Sequence, residues 1–336
     1  MTDGLNQKGG KAAMCTAITL QTAQGEALLG RTMDFSHPLE PQLYAVPRGA
    51  APWGNRWAFL GMGQDIGRVV LADGVNEGGL AAAALYFPGY ASFPPPSASR
   101  GGEVAAVEVV NRLLGSCASA AEAAALLEKI RIVGVPDPVT GTVAPLHWIL
   151  QDRSGRCLTA EQTAAGLRLL ENPVGVLSNS PDLPWHLTNL RSYAGLSPLP
   201  RPDARWEGAE LSPFGQGSGG LGLPGDYTPP SRFVRAAFLK SHAPVPASRQ
   251  EAAVTGFHLL ESVTVPRGAV ITDRGTQDYT QYTVFYSTVS GECWFKSYHN
   301  SQVLAARLFG GLAHGPGIRS LAVLNHPAPF QRVPAE

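Results

Sequence analysis

Three residues near the start of the chain have types and spacing suited to nucleophilic chemistry: Cys15, Arg31 and Asp34. If the working chain begins after Met14, Cys15 carries a thiol and a free α-amine on one residue. An α-amine titrates near about 7.7–8.0 and a thiol near about 8.5, so the amine is a competent base around neutral pH. One residue then supplies both nucleophile and base. The segment CTAITLQTAQGEALLGRTMDF alternates small, polar and apolar residues around Gly25, which predicts a β-hairpin opening at Cys15. The end of the second strand of a hairpin returns beside the start of the first, so Arg31 and Asp34, expected just past that strand, come within reach of Cys15. A guanidinium beside sulfur favours thiolate. A carboxylate accepts hydrogen bonds from the amine and orients it. The residues alone leave two alternatives open. In one, Cys15 stays internal and His147 or His299 acts as base, in the manner of papain-like hydrolases; in the other, the protein binds acyl amides without turnover.

Other chemistries find little support. The Gly-rich stretch 215–225 lacks the GxxxxGK[ST] pattern, and its GQGSGG leads into more loop instead of a helix, so it reads as a flexible loop. The eight histidines include no i, i+4 pair, and no GxSxG elbow is present, so neither a metal helix nor a serine nucleophile is expected. Cys117, Cys157 and Cys293 fit no CxxC or zinc spacing and read as small core residues. Lys+Arg and Asp+Glu both number 26, a balance without the basic excess of a nucleic-acid partner. No apolar run reaches the roughly 18 residues of a membrane helix, and the first residues lack the apolar centre of a secretory signal, so a cytoplasmic protein without membrane contacts is expected.

The elements that must position Cys15 follow from periodicity. Strands are expected at 57–61, 68–71 and 79–85, then helices at 103–114 and 119–129, the second opened by a Ser119/Glu122 capping box. Strand-like runs return at 147–151, 156–160, 167–170 and 174–177, and a helix follows Pro184. Residues 195–230 read as a long loop, before helices at 231–240 and 248–260 and an antiparallel pair at 279–287 and 293–298. Strands and helices in this order predict an α+β fold with helical layers on an antiparallel sheet core, built as one domain over 15–336 once residues 1–14 are removed.

The same residues carry a family resemblance. Met14-Cys15-Thr16, Gly30-Arg31-Thr32-Met33-Asp34-Phe35, Val75-Asn76-Glu77-Gly78-Gly79-Leu80 with Leu85-Tyr86-Phe87-Pro88-Gly89, Gly175-Val176-Leu177-Ser178-Asn179-Ser180, and Ser231-Arg232-Phe233-Val234-Arg235 occur in order. Together they resemble the choloylglycine hydrolase family, the N-terminal-nucleophile amidases that include bile salt hydrolases and penicillin V acylases. That resemblance implies a four-layer αββα sandwich, a common tetrameric assembly, and hydrolysis of a small linear amide with neither metal nor organic cofactor. It casts Cys15 as nucleophile with its α-amine as base. Arg31 and Asp34 hold sulfur and amine, Asn179 points a side-chain N–H at the oxyanion, and Arg232 ties the site together. Substrate contacts are implied for Met33, Phe35, Tyr86 and Phe87. Position 86 bears on the substrate: bile salt hydrolases typically have asparagine in the LNFPG block, whereas the LYFPG here resembles penicillin V acylases. An aromatic wall suits a phenoxyacetyl group. Cys15 is exposed either by autoproteolysis after Met14 or by loss of Met14 as initiator.

Overall fold

The computed structural model describes residues 14–324 and 327, apart from 38, 98–101, 139 and 309, so the tail expected over residues 1–13 lies outside the described residues. β1 (Met14–Gln21) and β2 (Ala27–Phe35) form the expected hairpin, with Gly25 in its turn at φ 81°, a conformation that glycine adopts without strain. Cys15 pairs with Met33 and Ala17 with Arg31, so Arg31 and Asp34 lie inside the second strand and not past it. β3 (Gln42–Val46), β4 (Phe59–Asp65), β5 (Val69–Asn76) and β6 (Leu80–Tyr86) follow as successive antiparallel neighbours, except that β3 does not continue from β2. β3 falls where no strand is expected, and β4 and β5 run past the expected ends at 61 and 71. Glycines obscure the latter two, yet close approach demands them: a Cβ on Gly61 would lie 2.0 Å from Asp73 O, and one on Gly74 2.4 Å from Leu60 O.

The expected helix at 103–114 divides into β7 (Glu103–Ala105), a 3-10 turn at Ala106–Glu108 and α1 (Val109–Ser116). α2 (Ala120–Leu127) starts at Ser119, whose Oγ accepts the Glu122 N–H at 3.1 Å. Next, β8 (Arg131–Val133) pairs parallel with β7, and this non-local pairing overrides the local helical spacing. β9 (Leu146–Asp152), β10 (Cys157–Thr163), β11 (Gly166–Glu171), β12 (Val176–Leu177) and α3 (Leu183–Asn189) match the expected runs. Within the expected loop lies a small hairpin, β13 (Ala204–Trp206) and β14 (Ala209–Leu211), that leaves Trp206 74% exposed. α4 (Pro229–His242) and α5 (Arg249–Glu261) precede β15 (Val270–Ile271), β16 (Gln277–Ser287), β17 (Glu292–Ser297), β18 (Asn300–Arg307) and β19 (Arg319–Val323). Among the described residues no helix is long and apolar enough to cross a membrane.

Two sheets stack face to face, one ordered β12-β1-β2-β16-β17-β18 with β15 on β16, the other β11-β10-β9-β6-β5-β4-β3-β19. α4 and α5 cover the outer face of the first, α1 and α2 that of the second, giving the four-layer αββα sandwich. Successive strand residues point to opposite faces, and that alternation sorts the site. Ile18, Leu20 and Leu28 pack toward α4 and α5, while Cys15, Ala17 and Leu29 face the other sheet. The same alternation carries Arg31 and Met33 inward beside Cys15. Thr16, Thr32 and Asp34 take the helix side.

Candidate active site

The inward set meets between the sheets. Arg31 Nη2 donates to Cys15 Sγ at 2.8 Å, its Nη1 to Asp73 Oδ2 at 2.9 Å, and its Nε to Thr32 O at 3.0 Å. Cys15, Arg31 and Asp73 are all buried. Burial pushes the Cys15 thiol above its ordinary value, and the Arg31 guanidinium is the strongest opposing influence. Asp73 also accepts the hydroxyls of Tyr282 at 2.6 Å and Tyr286 at 2.5 Å. Asp73 is not among the residues expected at the site, yet it contacts Arg31 directly. Its signal was available, since a lone carboxylate inside the apolar run VVLADGVN requires a buried partner.

The helix-side set surrounds the main chain of Cys15. Arg232, on α4, donates through Nη1 to Cys15 O and to Thr16 Oγ1, both at 2.6 Å, through Nη2 to Asn179 Oδ1 at 2.6 Å, and through Nε to Tyr227 O at 2.9 Å. Asn179 follows β12, the strand beside β1, and its Oδ1 also accepts the Cys15 N–H at 2.8 Å. Both bonds to Oδ1 fix the amide, so Asn179 Nδ2 points the other way, to Tyr86 O at 2.7 Å. Asn179, not the expected Asp34, therefore holds the nitrogen of Cys15 in the uncut chain. The Asp34 carboxylate accepts Thr280 Oγ1–H at 2.6 Å and Thr32 Oγ1–H at 3.2 Å.

Burial pushes the Asp34 carboxyl up to about 6, against the pull of Arg232. With Met14 attached, the Cys15 nitrogen is an uncharged peptide nitrogen, and Met14 is the register partner of Asp34. An α-ammonium freed at Cys15 adds a positive charge beside this carboxylate, which favours the ionised form and lowers its pKa. In a chain starting at Cys15, the Asp34 carboxyl is therefore expected to titrate below the value of about 6 that burial gives it in the uncut chain. Carbon-13 NMR of the aspartate carboxyls against pH checks this, and an Asp34 midpoint that stays in place or rises when Cys15 is freed would exclude Asp34 as the ionised partner of the amine.

Beside Cys15 the second sheet parts. β5 and β6 pair only through Asp73–Ala83, Gly74–Ala82 and Val75–Ala81; beyond these, β5 bonds to β4 alone and β6 to β9 alone. A cavity partly open to solvent occupies the parting, with Val70, Leu71 and Ala72 on one side and Ala84 and Tyr86 on the other. Cys15, Arg31, Met33, Phe35 and Tyr282 line it toward the first sheet, Val107 and Leu146 toward the outer helices. Met33, Phe35 and Tyr86 thus lie where the sequence reading expected substrate contacts, and Tyr86 packs on Phe35 with ring centroids 5.5 Å apart. Phe87 does not. It points to the opposite face of its strand, fully buried and stacked on His147 at 4.3 Å, as strand alternation requires.

The main chain at Tyr86 offers a further group. Phe87 N–H donates to Pro145 O at 2.6 Å, so the main-chain groups of Phe87 face β9 and those of Tyr86, one residue earlier, face the parting. Tyr86 O accepts one Asn179 Nδ2–H, which leaves the second hydrogen of that amide and the Tyr86 N–H on the same edge. Neither histidine considered as a base lies in this cavity: His147 is buried with Nε2 against Ser178 O at 2.9 Å, and His299 meets Arg267 at 3.1 Å on the surface. Cys117, Cys157 and Cys293 are buried and unpaired, and burial pushes the first two thiols up to about 12.

A buried thiol under a guanidinium, at the mouth of an apolar cavity, is the arrangement of an amide-cleaving enzyme. Residues 15–311 match the family model described as linear amide C–N hydrolases, choloylglycine hydrolase family. The chain belongs to the choloylglycine hydrolase family and is a linear amide hydrolase. It is 33% identical over 301 residues to a bile salt hydrolase/transferase of Clostridium perfringens, spanning 87% of this chain and 92% of that one. A conjugated bile acid hydrolase of Lactobacillus acidophilus is 33% identical over 285 residues, 82% of this chain and 90% of the other. A solved variant of conjugated bile acid hydrolase from Clostridium perfringens superposes with a TM-score of 0.87 at 30% identity, covering 95% of this chain and all of that one. Penicillin V acylase from Agrobacterium tumefaciens shares the fold, with a TM-score of 0.70 at 23% identity over 88% of this chain and 86% of the other. Sequence likeness among these relatives runs to bile salt hydrolases.

Proposed function

We propose that Cys15, once it is the first residue, hydrolyses the linear amide of penicillin V and releases phenoxyacetate. The observation carrying this reading is the Cys15 sulfur, held by Arg31 at 2.8 Å, at one end of an apolar slot walled by Tyr86. The α-amine takes the thiol proton, and the thiolate forms a C–S bond to the amide carbonyl carbon. Negative charge then develops on the former carbonyl oxygen, where Asn179 Nδ2–H and Tyr86 N–H donate; one such donor contributes about 2.7–4 kcal/mol in the transition state. As the tetrahedral intermediate collapses, the C–N bond breaks and the α-ammonium protonates the leaving amine. Water, deprotonated by the same amine, attacks the thioester, and the C–S bond breaks to restore the thiol.

A slot between parted strands suits a slender phenoxyacetyl group better than a fused-ring steroid, and Tyr86 adds an aromatic wall. Hydrolysis of conjugated bile salts is the second reading, favoured by the 33% identity to bile salt hydrolases. The test is kcat/KM measured side by side for penicillin V, glycocholate and a long-chain acyl homoserine lactone, on protein whose intact mass begins at Cys15. Penicillin V is expected to lead, and Tyr86→Asn to shrink its advantage over glycocholate by about tenfold, the scale of one pocket contact. A glycocholate preference in the unaltered protein would refute the penicillin V assignment and leave the amidase chemistry standing.

A further inference from the structure

Asp73 stands on the second sheet, yet three donors of the first sheet converge on it: Arg31 Nη1, Tyr282 OH and Tyr286 OH. It is fully buried, and among the described residues it is the carboxylate paired with Arg31. Its aim is set by a break in the strand. Met62 pairs with Asp73 and Gly63 with Leu71, so Ala72 is an extra residue in β5. Without that bulge, Leu71 and Asp73 would share a face. With it, Leu71 packs in the helix-side core, whereas Asp73 reaches across to Arg31. Bulges re-aim side chains in this way beside active sites. Arg31 in turn touches the sulfur, so the chain of contacts runs from Asp73 through one guanidinium to Cys15.

We propose that Asp73 is a positioning residue of the amidase site: it holds Arg31 against the Cys15 sulfur and balances the guanidinium charge, so that the thiol keeps its proton until the α-amine takes it. The proposal rests on the amidase reading for its purpose, but its first test does not require turnover. Tyr282 and Tyr286 hold Asp73 from the strand beside β2, and burial keeps both phenols protonated, so they remain donors throughout the working pH range.

The test is the pH dependence of Cys15 alkylation by iodoacetamide in the chain starting at Cys15, followed by peptide mass spectrometry so that Cys15 is read separately from Cys117, Cys157 and Cys293. Asp73→Asn removes the charge that balances Arg31, and an unbalanced positive charge beside sulfur favours thiolate. The midpoint of alkylation is then expected to move to lower pH by about one unit, or roughly tenfold more thiolate at a given pH. On the best amide substrate, kcat is expected to fall about tenfold with KM within about threefold, because an Arg31 charge left unbalanced beside the sulfur makes the thiolate a weaker nucleophile and leaves substrate binding untouched. Tyr286→Phe removes a donor without altering charge, so it should lower Tm and leave the alkylation midpoint in place. An unchanged midpoint in folded Asp73→Asn would overturn the proposal. Should that variant fail to fold, Asp73→Asn combined with Tyr286→Phe relieves the donor left unpaired and is read in the same way. A parent protein that hydrolyses no amide would sink the amidase reading, while the alkylation midpoint still decides whether Asp73 governs Arg31.

Discussion

Replacing Cys15 by alanine is expected to lower kcat/KM by about 10⁴- to 10⁶-fold on every amide the protein hydrolyses, the range seen when a nucleophile is removed from a preassembled site. The fold should survive, because alanine fits the space of a cysteine packed among Ala17, Leu29 and Tyr282. Arg31 Nη2 loses its sulfur partner but keeps a boundary with the cavity, where water can replace it. Two measurements check this. Steady-state hydrolysis gives the rate loss, and acid-quenched mass spectrometry should find an acyl thioester in the parent and none in the variant. Hydrolysis within tenfold of the parent would remove Cys15 from the chemistry and reopen the search for another nucleophile.

Arg232→Met is expected to cost about 3–5 kcal/mol of stability and at least a thousandfold in kcat/KM, as for breaking a buried charge network on one side. The guanidinium makes four bonds, to Cys15 O, Thr16 Oγ1, Asn179 Oδ1 and Tyr227 O, and methionine replaces none of them. Asn179 then loses one of the two bonds that orient its amide, so Nδ2 is no longer held on the oxyanion side. Asp34 suffers as well. Arg232 is the strongest influence opposing its burial, so removal raises a carboxyl that already titrates near 6 in the uncut chain. The sign is unambiguous: a higher pKa leaves more Asp34 neutral at pH 7, when the α-ammonium needs its charge. Denaturant unfolding and kcat/KM measure the two losses. Arg232→Lys keeps the charge without the fork and should recover more stability than activity. Parent-like values of both quantities in Arg232→Met would show that the network does no more than fill space.

Legibility from sequence differed between elements for physical reasons. The β1–β2 hairpin was plain because its alternation and its turn glycine are local signals, and α2 announced itself through the serine cap at Ser119. β4 and β5 were blurred because Gly61, Gly63 and Gly74 are demanded by the backbone of the neighbouring strand, which sequence periodicity does not register. Glu103–Ala105 became strand because it pairs with Arg131–Val133. At the site, Arg31 and Asp34 were found from hairpin geometry, and Asn179 and Arg232 from family resemblance. Phe87 was misassigned since LYFPG does not tell which of two adjacent aromatics faces the cavity. Asp73 was missed because its partners come from residues 31, 282 and 286, far away along the chain.

The sequence by itself determined the class of chemistry: a cysteine able to become the first residue, a hairpin that returns an arginine to it, and family motifs spread from Cys15 to Arg235. Those are matters of residue type and short-range spacing. Tertiary structure alone decided how the groups divide. Strand alternation sends Arg31 to the sulfur and Asp34 to the opposite face, the β5 bulge turns Asp73 across the sandwich, and Asn179 takes the Cys15 nitrogen. The substrate slot is likewise a tertiary feature, opening where β5 and β6 stop pairing. Each depends on which strands lie side by side, and that is settled by packing the two large sheets against each other and their covering helices, not by any one stretch of chain.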